Sequence, residues 1–403
     1  MPRDLIDPRP PIPAVYRTDE RVAIQEMARH FAMNKVLPVA NELDPVHGMI
    51  PDSMRNEMGE LGFFGITVPE KYDGLGLGTF EYALITEELA RAWMSVASII
   101  ARSGIAAGLD PTQRNKYMPL AAKGQWLGSF AMSEPDAGSD IASIRTRAEK
   151  VDGGWMLNGQ KMWCTFADQS NGILVVARAT PYDPANRHDG IRQFIVHKEP
   201  GSFPAGVTGN PIRKIGYHGW NTFDLSFNDC FVPDDCILGY EKPATRTDEG
   251  FKRTAAGMTT PRIHTAARSI GLARGSLEDS IRYVQQREQF DHKIGDFQVI
   301  RFKIAQMASD IEVCRALMYQ VASSADAGQN VDMQAAMAKF MASEMSERVT
   351  SEGLQIHGGA GYTTDFPIER YWRDARLTKI FEGTSEIMQR IISDSLLPSS
   401  SLR

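Results

Sequence analysis

The chain has 403 residues, 42% of them hydrophobic, with 44 Lys and Arg against 50 Asp and Glu for a net charge of −6. That length exceeds what one small core serves and predicts two or three domains. Without a cationic excess to neutralise a phosphate backbone, a nucleic-acid binder is excluded, although a local basic patch can still recognise a phosphorylated small molecule. No uninterrupted apolar run approaches the length of a membrane span. The four cysteines, Cys164, Cys230, Cys236 and Cys314, have neither CxxC spacing nor His-rich neighbours. They read as buried thiols in a reducing compartment, not as a zinc site or a disulfide framework. Met1-Pro2-Arg3-Asp4 leads into no apolar h-region, so no secretory or transit signal is expected, and a soluble cytoplasmic protein follows.

In chain order, residues 1–17 are Pro-rich (Pro2, Pro8, Pro10, Pro11, Pro13) and predict an extended arm that could lie on a neighbouring subunit. Residues 18–128 read as helical, with Ile24, Met27 and Phe31 and then the run Glu87 to Ala90 at helical spacing. Val68 to Gly76 is a loop punctuated by Pro and Gly. Over 129–242 the period changes to two. In Phe223-Asp224-Leu225-Ser226-Phe227-Asn228 apolar and polar residues alternate, and Trp155 and Leu157 do the same before an expected Asn158-Gly159 turn. An antiparallel β domain is predicted. Over 243–403 helices return, after a loop around Asp248-Glu249-Gly250-Phe251. Ile300, Ile304, Met307, Ile311, Cys314, Met318 and Val321 form a heptad seam, and Met337, Phe340, Met341 and Met345 are expected to pack in the core. The fold class is α+β, with an N-terminal helical domain, a middle β domain and a C-terminal four-helix bundle.

The candidate catalytic group is Glu382, in Lys379-Ile380-Phe381-Glu382-Gly383-Thr384-Ser385. Ile380 and Phe381 would shelter the carboxylate and Gly383 lets the backbone approach a ligand; desolvation is expected to raise its proton affinity. A lone Glu in a turn is ordinarily a solvated surface group. Two further motifs change that reading: Ala131-Met132-Ser133-Glu134-Pro135-Asp136-Ala137-Gly138-Ser139-Asp140 with Gln160-Lys161-Met162-Trp163-Cys164-Thr165, and Gln355-Ile356-His357-Gly358-Gly359-Ala360-Gly361-Tyr362 running on through Arg370 to Asp374. Together with the Glu382 segment they resemble the acyl-CoA dehydrogenase family, in its short- and medium-chain-like branch, from about Thr18 to Leu397.

No GxGxxG lies between a strand and a helix, so a Rossmann site is not predicted. The resemblance implies FAD in the crevice between the β domain and the bundle. Trp163 would stack on the isoalloxazine, Thr165 would bond near N5, and the backbone at Met132 and Ser133 would meet the pyrimidine end; otherwise these are a core Trp and a strand Thr. Arg287, Phe290 and Gln298, with Gln355, Gly358, Gly359 and Gly361, would hold the diphosphate and adenosine from a second subunit. Thr384 and Glu386 match further flavin contacts, although Glu386 stands where Gln is common. The resemblance also implies a homotetramer built of two dimers, and an electron-transfer flavoprotein as electron acceptor.

It further implies α,β-dehydrogenation of an acyl-CoA. Glu382 takes the Cα proton, a hydride leaves Cβ for FAD, and the Glu382 N–H with a ribityl hydroxyl polarises the thioester carbonyl. The family's other base position is Pro261 here, which leaves Glu382 alone. Arg262 matches the Arg bordering the CoA thioester and Ser139 a pantetheine contact, whereas Thr259 replaces an Asp of the medium-chain enzymes. Ser98 matches a Ser that meets the distal carboxylate in glutaryl-CoA dehydrogenases, and Arg102 lies one helical turn on. A succinyl- or glutaryl-type acyl group is therefore expected, with Arg102 as a solvent-facing or capping residue the alternative. Ala97 stands where the glutaryl enzymes carry their carboxylate-binding Arg. The competing functions are an acyl-CoA oxidase, a nitroalkane oxidase (which usually carries Asp at the Glu382 position), a non-oxidative β-elimination, and a catalytically silent flavoprotein scaffold. His264 and His357 read as satisfied structural histidines, with no metal site.

Overall fold

The computed structural model describes residues 11–104, 109–239 and 257–397. Six helices come first: α1 Asp19–Phe31, α2 Leu37–Leu43, α3 Asp52–Glu60, α4 Thr79–Ala92, α5 Met94–Ile99 and α6 Pro111–Ala122. Thr18 starts α1 by accepting the Arg21 N–H at 3.1 Å. Asp110 starts α6 with a capping box, and Pro111 follows where its missing N–H costs nothing. The inward face of α1 is Gln25, Ala28 and Phe31; Met27 points outward instead of joining the apolar stripe expected of it. Residues 11–18 lie on their own chain, with Ile12 buried and the Tyr16 ring packed on Phe80 of α4 at 5.3 Å, while the rest of the expected arm lies outside the described residues.

The middle region is one sheet in the order β1-β4-β2-β3-β7-β6, with β5 pairing β4. Its strands are β1 Gly128–Ala131, β2 Arg147–Val151, β3 Gly154–Thr165, β4 Gly172–Arg178, β5 Ile191–His197, β6 Val207–Pro211 and β7 Thr222–Pro233. Pairing is antiparallel except that β1 runs parallel to β4 and β2 touches β4 in parallel at one residue pair. The alternation over Phe223–Asn228 holds, with Phe223, Leu225 and Phe227 buried. The expected turn at Asn158-Gly159 does not form; β3 continues through it with a register shift against β7. Asn158 exchanges hydrogen bonds of 3.0 and 2.9 Å with Asp229 on β7, which holds it in the ladder. Thr146 passes so close to Gly159 that a Cβ would meet its Oγ1 at 2.6 Å.

The C-terminal region holds α7 Thr259–Gln286, α8 Gln298–Asp326, α9 Asp332–His357, α10 Ile368–Thr378 and α11 Ser385–Leu396, with a small hairpin β8 Glu288–Gln289 and β9 His292–Lys293 after α7. The seam on α8 is as predicted from Met307 to Val321, while Ile300 and Ile304 are half-buried. On α9 only Met345 of the four expected residues is fully buried, and Met341 faces outward. The expected domain boundary at 242/243 and the loop around Asp248 lie outside the described residues.

Helices α4 and α7 set the relation between the helical regions. A Cβ on Gly271 would meet the Glu87 carbonyl at 2.5 Å, so the two backbones cross where only glycine fits. Around this crossing lies a buried charge network. Arg274 bonds Glu87 at 2.8 Å, Arg91 bonds Glu278 at 2.7 Å, and Arg315 from α8 bonds Glu87 at 3.0 Å. Glu87 and Glu88, in the run read from sequence as helical, are thus wholly internal.

Candidate active site

The site is built from β3, the last turn of α5, the first turns of α7 and the turn ahead of α11. At β3 a second register shift lies between Lys161 and Cys164. Within it Trp163 has φ +63°, uncommon for a bulky residue, and its side chain is turned out of the sheet, leaving it 58% exposed. An exposed indole held in this way offers a flat face on which a planar ligand can stack. Below it, buried Lys161 bonds Glu134 at 2.8 Å and the Met132 carbonyl at 2.9 Å, and the Met162 N–H bonds the Ser133 carbonyl at 2.9 Å. Burial lowers the Lys161 pKa, opposed by Glu134. These bonds fix the Met132–Ser133 backbone beside Trp163.

Glu382 sits with φ +54°, followed by Gly383 at φ +96°. The Phe381 ring meets Tyr217 edge-on at 6.0 Å; Lys214 bonds the Tyr217 carbonyl at 2.9 Å and Thr222 Oγ1 at 3.2 Å, and Thr222 bonds Thr165 at 3.0 Å. This chain of contacts seats the Glu382 turn beside the strand that presents Trp163 and Thr165. The Glu382 N–H donates to no group among the described residues, as an oxyanion donor must.

Two residues that sequence reading missed control the carboxylate. Arg268, on α7 and 1% exposed, bonds Glu382 Oε1 at 2.8 Å, and Thr265 donates to Oε2. Burial pushes the Glu382 proton affinity up, but the Arg268 charge and these hydrogen bonds outweigh it and hold the carboxyl below the usual range. The expectation of a raised affinity is overturned, because the turn faces a buried cation rather than an apolar wall. The available signal was an Arg three residues after a Thr in a helical stretch whose neighbours Ala266, Ala267 and Ile270 mark it as buried, where a charged residue is exceptional.

Arg268 also donates to Ser98 Oγ at 2.9 Å, so Ser98 is buried and already engaged. Arg102 is half-buried on the turn after α5 and makes no ion pair among the described residues; its charge acts on His264 and Lys214. His264, held to about 3 by burial, is neutral. Its Nε2–H donates to the Ala97 carbonyl at 3.0 Å, but Nδ1 is buried without a partner, so it is only half satisfied. His357 is satisfied through the Gly353 carbonyl at 2.8 Å. Arg262 lies half-buried in the first turn of α7 with Nε unpartnered, and Ser139 is exposed. The four thiols are buried and free, all with raised pKa, so the reading of buried thiols holds.

The other expected FAD residues gather elsewhere. Arg287, Phe290 (85% exposed) and Gln298 lie where α7 ends and α8 begins. Nearby, Tyr283 stacks on His357 at 4.2 Å, joining that end of α7 to Gln355 and the Gly358–Gly361 turn. Open space surrounds Gly358 and Gly359, and Gly358 has φ +60°. At 1.5 Å per residue Arg287 is roughly 28 Å along α7 from Arg268. Thr384 caps α11 by accepting the Ile387 N–H at 3.2 Å, and with exposed Glu386 it opens onto a cleft of about 580 Å³ between α9, α10 and α11. The residues at Trp163 and at Gly358 each suit a part of FAD, a planar ring and an anionic diphosphate.

The N-terminal, middle and C-terminal domains of acyl-CoA dehydrogenase match residues 18–125, 129–230 and 248–397. The chain belongs to the acyl-CoA dehydrogenase family. This acyl-CoA dehydrogenase is 37% identical to an acyl-CoA dehydrogenase of Bacillus subtilis over 94% of this chain and 98% of that one. It is 34% identical to a (2S)-methylsuccinyl-CoA dehydrogenase of Cereibacter sphaeroides, over 94% and 70%. Butyryl-CoA dehydrogenase from Megasphaera elsdenii superposes with TM-score 0.87 at 32% identity, over 95% and 99%. The dehydrogenase is an FAD-dependent oxidoreductase acting on a CH–CH bond, with the three-region fold of its family. Among the described residues no helix is long and apolar enough to cross a membrane, and no cluster of metal-ligating side chains occurs.

Proposed function

We propose that the protein oxidises the Cα–Cβ bond of an acyl-CoA in a crevice bounded by β3 and the start of α7, with Glu382 as the base. The observation that carries this reading is the seating of the Glu382 turn against the strand of Trp163 and Thr165 through Tyr217, Lys214 and Thr222. Glu382 takes the Cα proton, and its own N–H, aimed by the left-handed backbone, is the donor for the thioester oxygen. FAD, when bound, would supply the acceptor for the hydride that leaves Cβ. Trp163, Thr165 and the Met132–Ser133 backbone hold the ring end. Arg287, Phe290, Gln298 and the Gln355–Gly361 segment hold the diphosphate end for a neighbouring subunit, since within one chain they lie too far from the base. This supports an obligate dimer within a homotetramer. Reoxidation by an electron-transfer flavoprotein accords with the family.

The finer reading is a carboxylated, succinyl- or glutaryl-type acyl group. Half-buried Arg102 at the end of α5 supports it, as does the similarity to a methylsuccinyl-CoA dehydrogenase. The test is anaerobic reduction of the flavin by a panel of acyl-CoAs. Rapid bleaching by at least one, abolished in Glu382→Gln, is expected; a flavin-loaded protein that none of them bleaches overturns the reaction. An Arg102→Ala variant with equal kcat/KM for carboxylated and plain esters removes Arg102 as the anchor.

A further inference from the structure

We infer that Arg268 is the specificity-determining residue, that it binds a carboxylate placed close to Cα of the acyl group, and that this anion releases Glu382 from its ion pair so that it can act. The inference rests on the proposed reaction and names its substrate class: short dicarboxylic acyl thioesters.

Arg268 is a buried cation with a single anionic partner among the described residues. Nη1 donates to Ser98, Nη2 lies between Glu382 Oε1 at 2.8 Å and Thr265 Oγ1 at 2.9 Å, and the guanidinium rests 4.4 Å over the Phe381 ring. Nε is buried and has no partner among the described residues. Among the described residues, the charge that compensates Arg268 is therefore Glu382 alone. When Glu382 takes a proton from a neutral acyl chain, that compensation disappears and a buried guanidinium is left unpaired, a costly state. Clamped by Arg268, the carboxylate is also a weaker base than an ordinary Glu.

A carboxylate on the substrate resolves both problems. It offers two oxygens to a guanidinium that has a donor to spare, in the forked geometry Arg favours. Glu382 is then displaced from the cation and lies beside a second anion, which raises its affinity for a proton. When the Cα–H bond breaks, its proton goes to Glu382. The electron pair becomes the Cα–Cβ π bond as the Cβ hydride leaves for FAD, and Arg268 stays paired with the substrate's carboxylate throughout. The acyl carboxylate is retained. Distance sets the chain length: Arg268 touches the group that must reach Cα, so the anion it binds is only a few bonds from Cα, as in a succinyl skeleton. Arg102 cannot do this, because it does not touch the base.

The experiment compares 2-methylsuccinyl-CoA and glutaryl-CoA with butyryl-CoA on the holoenzyme and its Arg268→Gln and Arg268→Lys variants. FAD content and thermal midpoint serve as folding controls. Wild type is expected to favour a carboxylated ester by at least about 100-fold in kcat/KM. Arg268→Gln is expected to collapse that preference toward unity, read as the ratio of the two kcat/KM values whatever the absolute rates, with Arg268→Lys between. Equal losses for both classes overturn the inference and leave the dehydrogenation standing. A wild type that prefers butyryl-CoA overturns it even if the Gln variant fails to fold. Binding to Glu382→Gln, read from the perturbed flavin spectrum, gives an answer independent of turnover: carboxylated esters should bind at least about tenfold tighter, and equal affinities overturn the assignment.

Discussion

Lys339 reaches from the first half of α9 to donate to the Gly383 carbonyl at 2.6 Å, and so pins the turn that carries Glu382, the proposed base. The turn needs pinning, because a left-handed residue other than glycine costs on the order of 1–3 kcal/mol, and Glu382 is such a residue. Lys339→Met is expected to lower kcat about tenfold or more with KM little changed, since the base loses alignment while the binding surfaces stay. Steady-state kinetics on the best ester checks this.

The same lysine has a pH signature. Burial lowers its pKa from 10.5 to about 8, with Glu382 opposing. Between those values the unfolded chain binds more protons than the folded one, so this residue's contribution to stability rises with pH across that window. Urea titrations from pH 8 to 10 should show a shallower rise in Lys339→Met than in wild type.

Glu278 joins α4 and α7 inside the charge network. Burial alone would raise its pKa, but Arg91, Arg274 and Arg29 prevail and lower it from 4.5 to about 2. Its stabilisation is full above the unfolded value and is lost as pH falls toward 2. Glu278→Ala should cost about 3–5 kcal/mol at neutral pH, because it removes the acceptor of Arg91 Nε at 2.7 Å and leaves a buried charge network one anion short. Chemical denaturation at pH 7 and pH 4 measures it.

Gly271→Ala isolates the helix crossing. Helix propensity favours alanine by about 1 kcal/mol. Against that, its Cβ would lie 2.5 Å from the Glu87 carbonyl and 2.7 Å from the Ala90 Cβ, neither of which is a flexible side-chain end. Overpacking of about 1–3 kcal/mol should win, so the thermal midpoint should fall rather than rise.

Trp163→Ala removes the exposed ring face. The loss of aromatic stacking, about 0.5–1.5 kcal/mol, corresponds to FAD held roughly 2- to 12-fold more weakly. Trp163→Phe should recover most of it. Flavin absorbance per protomer after dilution and gel filtration is the readout.

Helix and strand positions were legible because burial imprints a period on the sequence: Met307 to Val321 on α8 and Phe223 to Phe227 on β7 follow it directly. Where the period failed, a tertiary neighbour intervened. Asn158-Gly159 looks like a hairpin turn until Asp229 and Thr146 are beside it, and Met27 looks like core until Gln25 takes that place.

For the site, the sequence by itself determined the family and singled out Glu382 as the proposed base along with the residue types that suit a flavin, since each is carried by a contiguous motif whose chemistry is local. It did not determine the protonation state of that base. Arg268 is 114 positions from Glu382 and Ser98 is 170 from Arg268, so their meeting depends on where α5, α7 and the turn before α11 are packed. Burial alone predicts a carboxyl with raised proton affinity; only the fold puts a buried guanidinium 2.8 Å from it and reverses the sign. Electrostatic energy depends on separation in space, which the order of residues along a chain does not encode.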